Sequence, residues 1–229
     1  MHFEIQYNPA HSLATAHLNV GESVRAEASA MVSLSSQVDV ATNTGPAGRG
    51  GFFQKARRGF LGGESFFQNT YRARGPGATV SLAPQLCGSM VVHELGTGPS
   101  LLIQASSYVA APDSVDVDTQ FQGFRGFLSG ESLFFLRASG YGPVLLNAFG
   151  AIETIDLDGE LIVDTGHVVA FTEGIEYSID KAGGGWIQSF LSGEGFVLRL
   201  RGRGKLYIQT RNPTEFGHTV GVMLPARSS

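Results

Sequence analysis

Sulfur and charge are both scarce in this chain. A single cysteine, Cys87, occurs in 229 residues. It has no partner for an internal disulfide and no Cys or His neighbour at zinc-ligand spacing. A reducing cytoplasm is the compartment this favours. Charged residues make up 16% of the chain and sum to −4, which removes any global attraction to nucleic acid or to an anionic membrane. No apolar run approaches the roughly 18 residues that a membrane-spanning helix needs. The N-terminus, Met1-His2-Phe3-Glu4-Ile5-Gln6-Tyr7, has neither the basic nor the apolar segment of a signal peptide.

Signatures of covalent chemistry are missing as well. No Gly-x-Ser-x-Gly elbow occurs, and Cys87 carries no mark of an activated thiol. Gly75-Pro76-Gly77 and Gly202-Arg203-Gly204 are each followed by strand-like sequence. A phosphate cradle needs a helix N-terminus there, so these read as turns.

Glycine, by contrast, is abundant at 31 residues, and the hydrophobic share of 42% is that of a folded protein. Many short strands joined by glycine turns, an all-β fold, is the natural reading. Phe3, Ile5 and Tyr7 fall on one face of a first strand, and Ala14, Ala16, Leu18 and Val20 on one face of a second.

One phrase recurs three times. Gly59-Phe60-Leu61-Gly62-Gly63-Glu64-Ser65-Phe66-Phe67 returns as Gly126-Phe127-Leu128-Ser129-Gly130-Glu131-Ser132-Leu133-Phe134, then as Ser189-Phe190-Leu191-Ser192-Gly193-Glu194-Gly195-Phe196-Val197. The glutamates lie 67 and 63 residues apart, the period of a supersecondary unit. Ahead of each phrase come two apolar segments with a tight connection: Met31–Leu34 with Val38–Val40, Tyr108–Ala111 with Val115–Val117, and Val168–Phe171 with Ile175–Tyr177. After it a strand reaches a glycine turn (Arg74–Gly77, Gly140–Pro143, Arg201–Gly204) and a second strand follows. Each such back half reads as a hairpin. The expectation is a single domain over 1–229, built from three β repeats at about 14–87, 88–151 and 152–217 with pseudo-threefold symmetry. The third residue after each glutamate, Phe67, Phe134 and Val197, is expected in an equivalent core position. Ala41 to Gly51 reads as a loop, Phe52 to Phe60 as one or two helical turns, and His218 to Leu224 as a closing strand.

The triplicated Phe-Leu-x-Gly-Glu phrase, the insertion Gly51-Phe52-Phe53-Gln54-Lys55-Ala56-Arg57-Arg58 and the run Leu161-Ile162-Val163-Asp164-Thr165-Gly166-His167-Val168-Val169-Ala170-Phe171 together carry a likeness. Over nearly its whole length the chain resembles the altered-inheritance-of-mitochondria twenty-four family. The resemblance implies a double-stranded β-helix fold, grouped with the tryptophan RNA-binding attenuator-like proteins. It implies no known reaction and brings no catalytic residues. Mitochondrial members are implicated in inner-membrane organisation and protein assembly.

Metal enzymes of the double-stranded β-helix type use a His-x-His pair with a nearby Glu and a further His. The histidines here, His2, His11, His17, His93, His167 and His218, contain no such pair. His93-Glu94 and His167 near Asp164 are loose candidates, and the expectation is a protein without metal or cofactor. Glu64, Glu131 and Glu194 either converge as a carboxylate ring for a cation or a basic partner, or each cap a tight turn. The basic sets are Lys55, Arg57, Arg58 and Arg199, Arg201, Arg203, Lys205. The second set alternates with Leu198 and Leu200, which places its cations on a solvated face or in a docking patch. Phe52 and Phe53 interleave with Lys55, Arg57 and Arg58. That mixture suits a cover on the core, a partner contact or a peripheral membrane contact.

The functional expectation is a non-enzymatic structural or interaction protein, a homo-oligomer or one that docks a protein partner. Its candidate interaction residues are Phe52, Phe53, Lys55, Arg57, Arg58, Arg199, Arg201 and Arg203. The alternatives are a small-ligand-binding or metal-dependent enzyme, and a nucleic-acid binder through Arg199 to Lys205. The last is disfavoured because exposed aromatics do not accompany those cations.

Overall fold

The computed structural model describes residues 1–42, 68–118, 124–125, 132–181 and 196–225. In chain order the strands are β1 (His2–Gln6), β2 (Leu13–Leu18), β3 (Ser23–Glu27), β4 (Met31–Leu34), β5 (Val38–Thr42), β6 (Gln68–Ala73) and β7 (Ala78–Leu82). Next come β8 (Met90–Leu95), β9 (Leu101–Gln104), β10 (Tyr108–Pro112), β11 (Val115–Asp118), β12 (Phe124–Arg125), β13 (Ser132–Leu133), β14 (Phe135–Gly140) and β15 (Gly142–Asn147). The last are β16 (Ile152–Asp164), β17 (Val168–Thr172), β18 (Ile175–Lys181) and β19 (Phe196–Gln209), followed by helix α1 (Pro213–Gly221). The protein is all-β, with curled antiparallel sheets. Among the described residues no helix is long and apolar enough to cross a membrane.

Three large sheets carry the fold. Their orders are β1-β2-β7-β4, β5-β6-β3-β10-β15-β8 and β11-β14-β9-β17-β19-β16, with β18 also on β19. The apolar residues of each strand fall into three clusters. The first joins β2 and β7 (Ala14, Ala16, Leu18, Ala78, Val80, Leu82) to Val24, Ala26, Tyr71 and Leu145. The second places Tyr108, Val144 and Leu146 against Leu101, Ile103, Leu136 and Val169. The third packs Leu102, Phe135, Val168 and Phe171 against Leu198, Leu200 and Ile175. Leu145 faces one cluster while Val144 and Leu146 face the next, so the middle sheet is covered on both sides. That explains why β10 reads as a continuous apolar run, and β17 of the seven-stranded sheet does so for the same reason, with Val169 and Ala170 in the second cluster and Val168 and Phe171 in the third: every residue in each strand is buried.

The glycine turns are corners, and the hairpins expected from them do not form. β6 lies in the six-stranded sheet and β7 in the four-stranded one; β14 lies in the seven-stranded sheet and β15 in the six-stranded one. In the last case the chain does not turn at all. β19 runs unbroken through Gly202 (φ 130), which stands in register opposite Gly159 (φ 130) of β16. A hairpin would keep both arms in one sheet. At the first two corners glycine with positive φ (Gly77, φ 72; Gly140, φ 110) lets the chain leave one sheet and enter another, whereas β19 keeps both sides of Gly202 in the seven-stranded sheet.

Two ends of the chain also depart from expectation. Phe3 and Ile5 pack on the first cluster, but Tyr7 (φ 59) and Val20 lie beyond their strands and are exposed. The segment expected as a closing strand is helix α1. The Asn212 carboxamide accepts from the backbone N–H of Thr214 (2.9 Å) and of Glu215 (3.4 Å), with Pro213 in the first turn. A side-chain N-cap and an N-terminal proline favour helix over strand.

The recurrent phrase lies outside the described residues, including Glu64, Glu131, Glu194 and Phe67. Its last residues fall inside, and they correct the expected register. Phe134 is half-buried, whereas Phe135 is 2% exposed and meets Phe171 and Tyr177 edge to face at 5.2 and 5.6 Å. A one-residue offset exchanges the faces of a strand. Val197 is buried as expected.

Phe135→Ala is therefore expected to cost about 3–5 kcal/mol in denaturant unfolding, and Phe134→Ala clearly less. Equal losses would contradict this register. Gly202→Ala is expected to destabilise by about 1–3 kcal/mol, because its Cβ would stand 2.7 Å from the Gly174 carbonyl oxygen at a φ that L-residues avoid. A thermal melt unchanged by that substitution would remove the corner argument.

Candidate interaction surface

The longest strand pairing among the described residues is the β16–β19 ribbon, from Ile152↔Gln209 to Asp164↔Val197. Period-2 alternation sends Leu157, Leu198, Leu200 and Leu206 into the core. The intervening residues form two facing columns: Asp156, Asp158 and Glu160 on β16 stand opposite Lys205, Arg203 and Arg201 on β19. The side chains close this ladder. Lys205 Nζ donates to Asp156 at 2.9 Å, and Arg199 Nη1 to Glu160, one rung along, at 2.5 Å. Arg203 grips Asp158 with two parallel bonds of 2.7 Å each, and that hydrogen bonding raises the pKa of the Arg203 guanidinium. Exposed pairs of this kind add only about 0–1 kcal/mol each.

The cations singled out from the sequence thus sit together on one outer face, as their alternation required. Arg199 and Arg203 are engaged by carboxylates in the same sheet, and Arg201 stands opposite Glu160. The sequence places Asp156, Asp158 and Glu160 at the same period of two. Pairing that run with β19 is the step that reveals the ladder, and it was not made from the residues alone. Phe52, Phe53, Lys55, Arg57 and Arg58 lie outside the described residues.

The histidines noted as loose metal candidates have other partners. His93 Nδ1 lies 2.8 Å from the Tyr207 hydroxyl, with the two rings edge to face. Burial lowers the His93 pKa, with Lys205 acting in the same direction. Burial, and secondarily Asp156, pushes the Tyr207 hydroxyl up to about 12. Nothing in the sequence spacing announced this pair, which joins β8 to β19. His167 Nδ1 lies 2.7 Å from the Gln209 carbonyl oxygen, while the Asp164 carboxylate accepts from the Gly166 N–H at 2.8 Å. Among the described residues no group of three or more His, Cys, Asp or Glu is placed to hold a metal ion.

A different kind of surface lies along β4. It pairs with β7 on one side, and on the other, among the described residues, it ends its sheet. Met31, Val32 and Leu34 on it, and Val40 on β5, are exposed apolar residues. Among the described residues β16 likewise ends its sheet, with Ile162 exposed. The β4 edge has no charge or proline to blunt it, and on β16 the stretch Leu161–Val163 is likewise uncharged; such edges are templates for pairing with another strand.

Comparison with known proteins follows the same outline. A family model described as mitochondrial biogenesis AIM24 matches residues 3–211. An uncharacterized protein of Streptococcus pyogenes serotype M6 is 31% identical over 234 residues, covering 100% of this chain and 93% of its own length. The X-ray crystal structure of a Streptococcus pyogenes protein, also 31% identical, superposes with a TM-score of 0.78 over 97% of this chain and 99% of that one.

The His93 environment generates a pH prediction. A folded-state pKa below the unfolded value means that protonation favours unfolding. Stability is full above the unfolded pKa of about 6.5 and falls as pH drops from there through the lower folded value. His93→Gln should flatten that part of the pH–stability curve measured by denaturant titration. An identical slope in wild type and variant would show that His93 is not its source.

Proposed function

We propose that this chain, which belongs to the mitochondrial biogenesis AIM24 family, acts as a structural or interaction protein that self-associates or docks a protein partner, and does not catalyse a reaction. The observation that carries this reading is the uncharged, apolar edge at β4, matched by a second open edge at β16. The polar groups that catalysis would draw on are engaged elsewhere: His93 with Tyr207, His167 with a backbone carbonyl, and the ribbon carboxylates with cations. A lone, exposed Cys87 thiol suits a reducing cytoplasm.

The finer architecture belongs to the same proposal: three equivalent β units, at about 14–87, 88–151 and 152–217, arranged as a double-stranded β-helix. Recurrence of the pairings supports it. β2–β7, β8–β15 and the outer part of β16–β19 correspond, as do β3–β6, β9–β14 and the remainder of β16–β19. β5–β6, β11–β14 and β18–β19 correspond in turn. In the fourth set, β4–β7, β10–β15 and β17–β19, the register shifts at the same place each time: Met31/Ser33, Tyr108/Ala110 and Val168/Ala170.

The segment with Phe52, Phe53, Lys55, Arg57 and Arg58 is the second element of this reading, because only the first unit carries it and binding residues concentrate on such insertions. Solution mass and pull-down are to be compared for wild type and the Arg57→Glu, Arg58→Glu double variant. Weaker association is expected, with stability within about 0.5 kcal/mol. Unchanged association would leave the segment without a docking role. A wild type that stays monomeric and captures nothing would end the interaction reading itself.

A further inference from the structure

We infer that copies of this chain join head to tail, the Leu161–Val163 edge of β16 in one copy pairing antiparallel with the Ser33–Ser35 edge at β4 of the next. This deepens the self-association reading and rests on the three-unit architecture proposed above. The chain makes one kind of junction twice. Between the first two units, β3 pairs β10 with Ala26↔Ala110, Arg25↔Ala111 and Val24↔Pro112. Between the second and third, β9 pairs β17 with Ile103↔Ala170, Leu102↔Phe171 and Leu101↔Thr172. Each junction takes the free side of a strand whose other side holds the back half of its own unit, and joins it to the shifted strand of the next unit.

Both halves of a third such junction are present, and they are apart. Tyr71, Ala138 and Leu200 hold corresponding places, opposite Val40, Val117 and Tyr177 on one side and opposite Val24, Leu101 and Leu161 on the other. Leu161, Ile162 and Val163 therefore correspond to Val24, Arg25 and Ala26. The register shift makes Ser33, Leu34 and Ser35 correspond to Ala110, Ala111 and Pro112. Carrying the junction over gives Val163↔Ser33, Ile162↔Leu34 and Leu161↔Ser35. Leu34 and Ile162, each 37% exposed, then stand directly opposite and cover one another, and no like charges oppose. The shift on β4 does not protect its edge, because β10 and β17 carry the same shift and are paired there.

Among the described residues this junction is not closed within one chain: β4 pairs β7 and β16 pairs β19. The cluster under β4 contains no residue of β16 to β19, the cluster under β16 contains none of β1 to β8, and a third cluster lies between them. The two edges share no cluster and are not paired with one another, so the partner is a second copy. A contact between two different edges leaves one of each free, and the assembly grows or closes as a ring.

The test uses Leu34→Glu, Ile162→Lys and the double variant, with mass followed by sedimentation over a concentration series and melts recorded alongside. Wild type should rise above 24.3 kDa with concentration. Each single variant should associate at least about tenfold more weakly, and the double variant, whose opposite charges meet across the junction, should recover. Ser33→Lys, at an exposed polar position, replaces Leu34→Glu if that variant does not fold. Single variants that associate like wild type would overturn this inference and leave self-association standing on another surface. Loss in Leu34→Glu alone would assign a symmetric β4–β4 contact instead. A wild type that is monomeric throughout would overturn both this inference and the self-association reading.

Discussion

An extended strand has two edges to satisfy with hydrogen bonds and two faces to cover with side chains, and no single sheet of this chain can do both. The structure meets that constraint by moving strands between sheets at glycine corners. β6 and β7 diverge across Arg74–Gly77, β14 and β15 across Gly140, and β19 bends at Gly202 without breaking. The first two corners each pass the chain from one sheet to another, while β19 stays in the seven-stranded sheet and pairs there with β16, β17 and β18. Three separate apolar clusters result, with the middle sheet shared between two of them. Without a bend at those positions the apolar faces of β14 and β15 would compete for the same neighbours.

Much of this was legible in the residues. Alternation placed Ala14, Ala16 and Leu18 on a buried face, and the paired apolar segments at 108–117 and 168–177 form the expected strands. Sheet membership was not legible. A glycine between two strand-like segments looks the same whether the second strand returns beside the first or departs into another sheet, because both need a positive φ. The distinction lies in long-range pairing, which local sequence does not carry. Phe134 and Phe135 present a similar ambiguity: two adjacent phenylalanines fit either face, and packing against Phe171 and Tyr177 decides for the second. Helix α1 was a different kind of miss, since Asn212-Pro213-Thr214-Glu215 is a local start signal that outweighs the apolar residues behind it.

The surface was legible in its cations and illegible in its anions. Arg199, Arg201 and Arg203 stand out because they alternate with leucines, and such a row taken alone suggests a polyanion. Once Asp158 and Glu160 are set across from them, the row becomes half of a neutral ladder. Cations so engaged offer little field to a distant phosphate. The open β4 edge gave the opposite impression in the sequence, where Met31-Val32-Ser33-Leu34 looked like any core strand. Its equivalents β10 and β17 are indeed buried throughout, and β4 differs in what lies beside it rather than in its own composition.

The β3–β10 pairing has a consequence for the life of the chain before it is complete. Ala26 meets Ala110, so the edge of β3 waits for a segment made roughly 85 residues later. At translation speeds of about 5–20 residues per second, that interval is about 4–17 s, far longer than the microseconds in which a hairpin closes. During synthesis the nascent first unit, with β3 on β6 and β4 on β7, therefore presents the other edge of each strand unpaired, and its solubility over those seconds depends on how the cell shields a growing sheet. In the final third the wait is shorter, from Asp164↔Val197 to Ile152↔Gln209 within one unit, and the ladder can zip as soon as the last strand has left the ribosome.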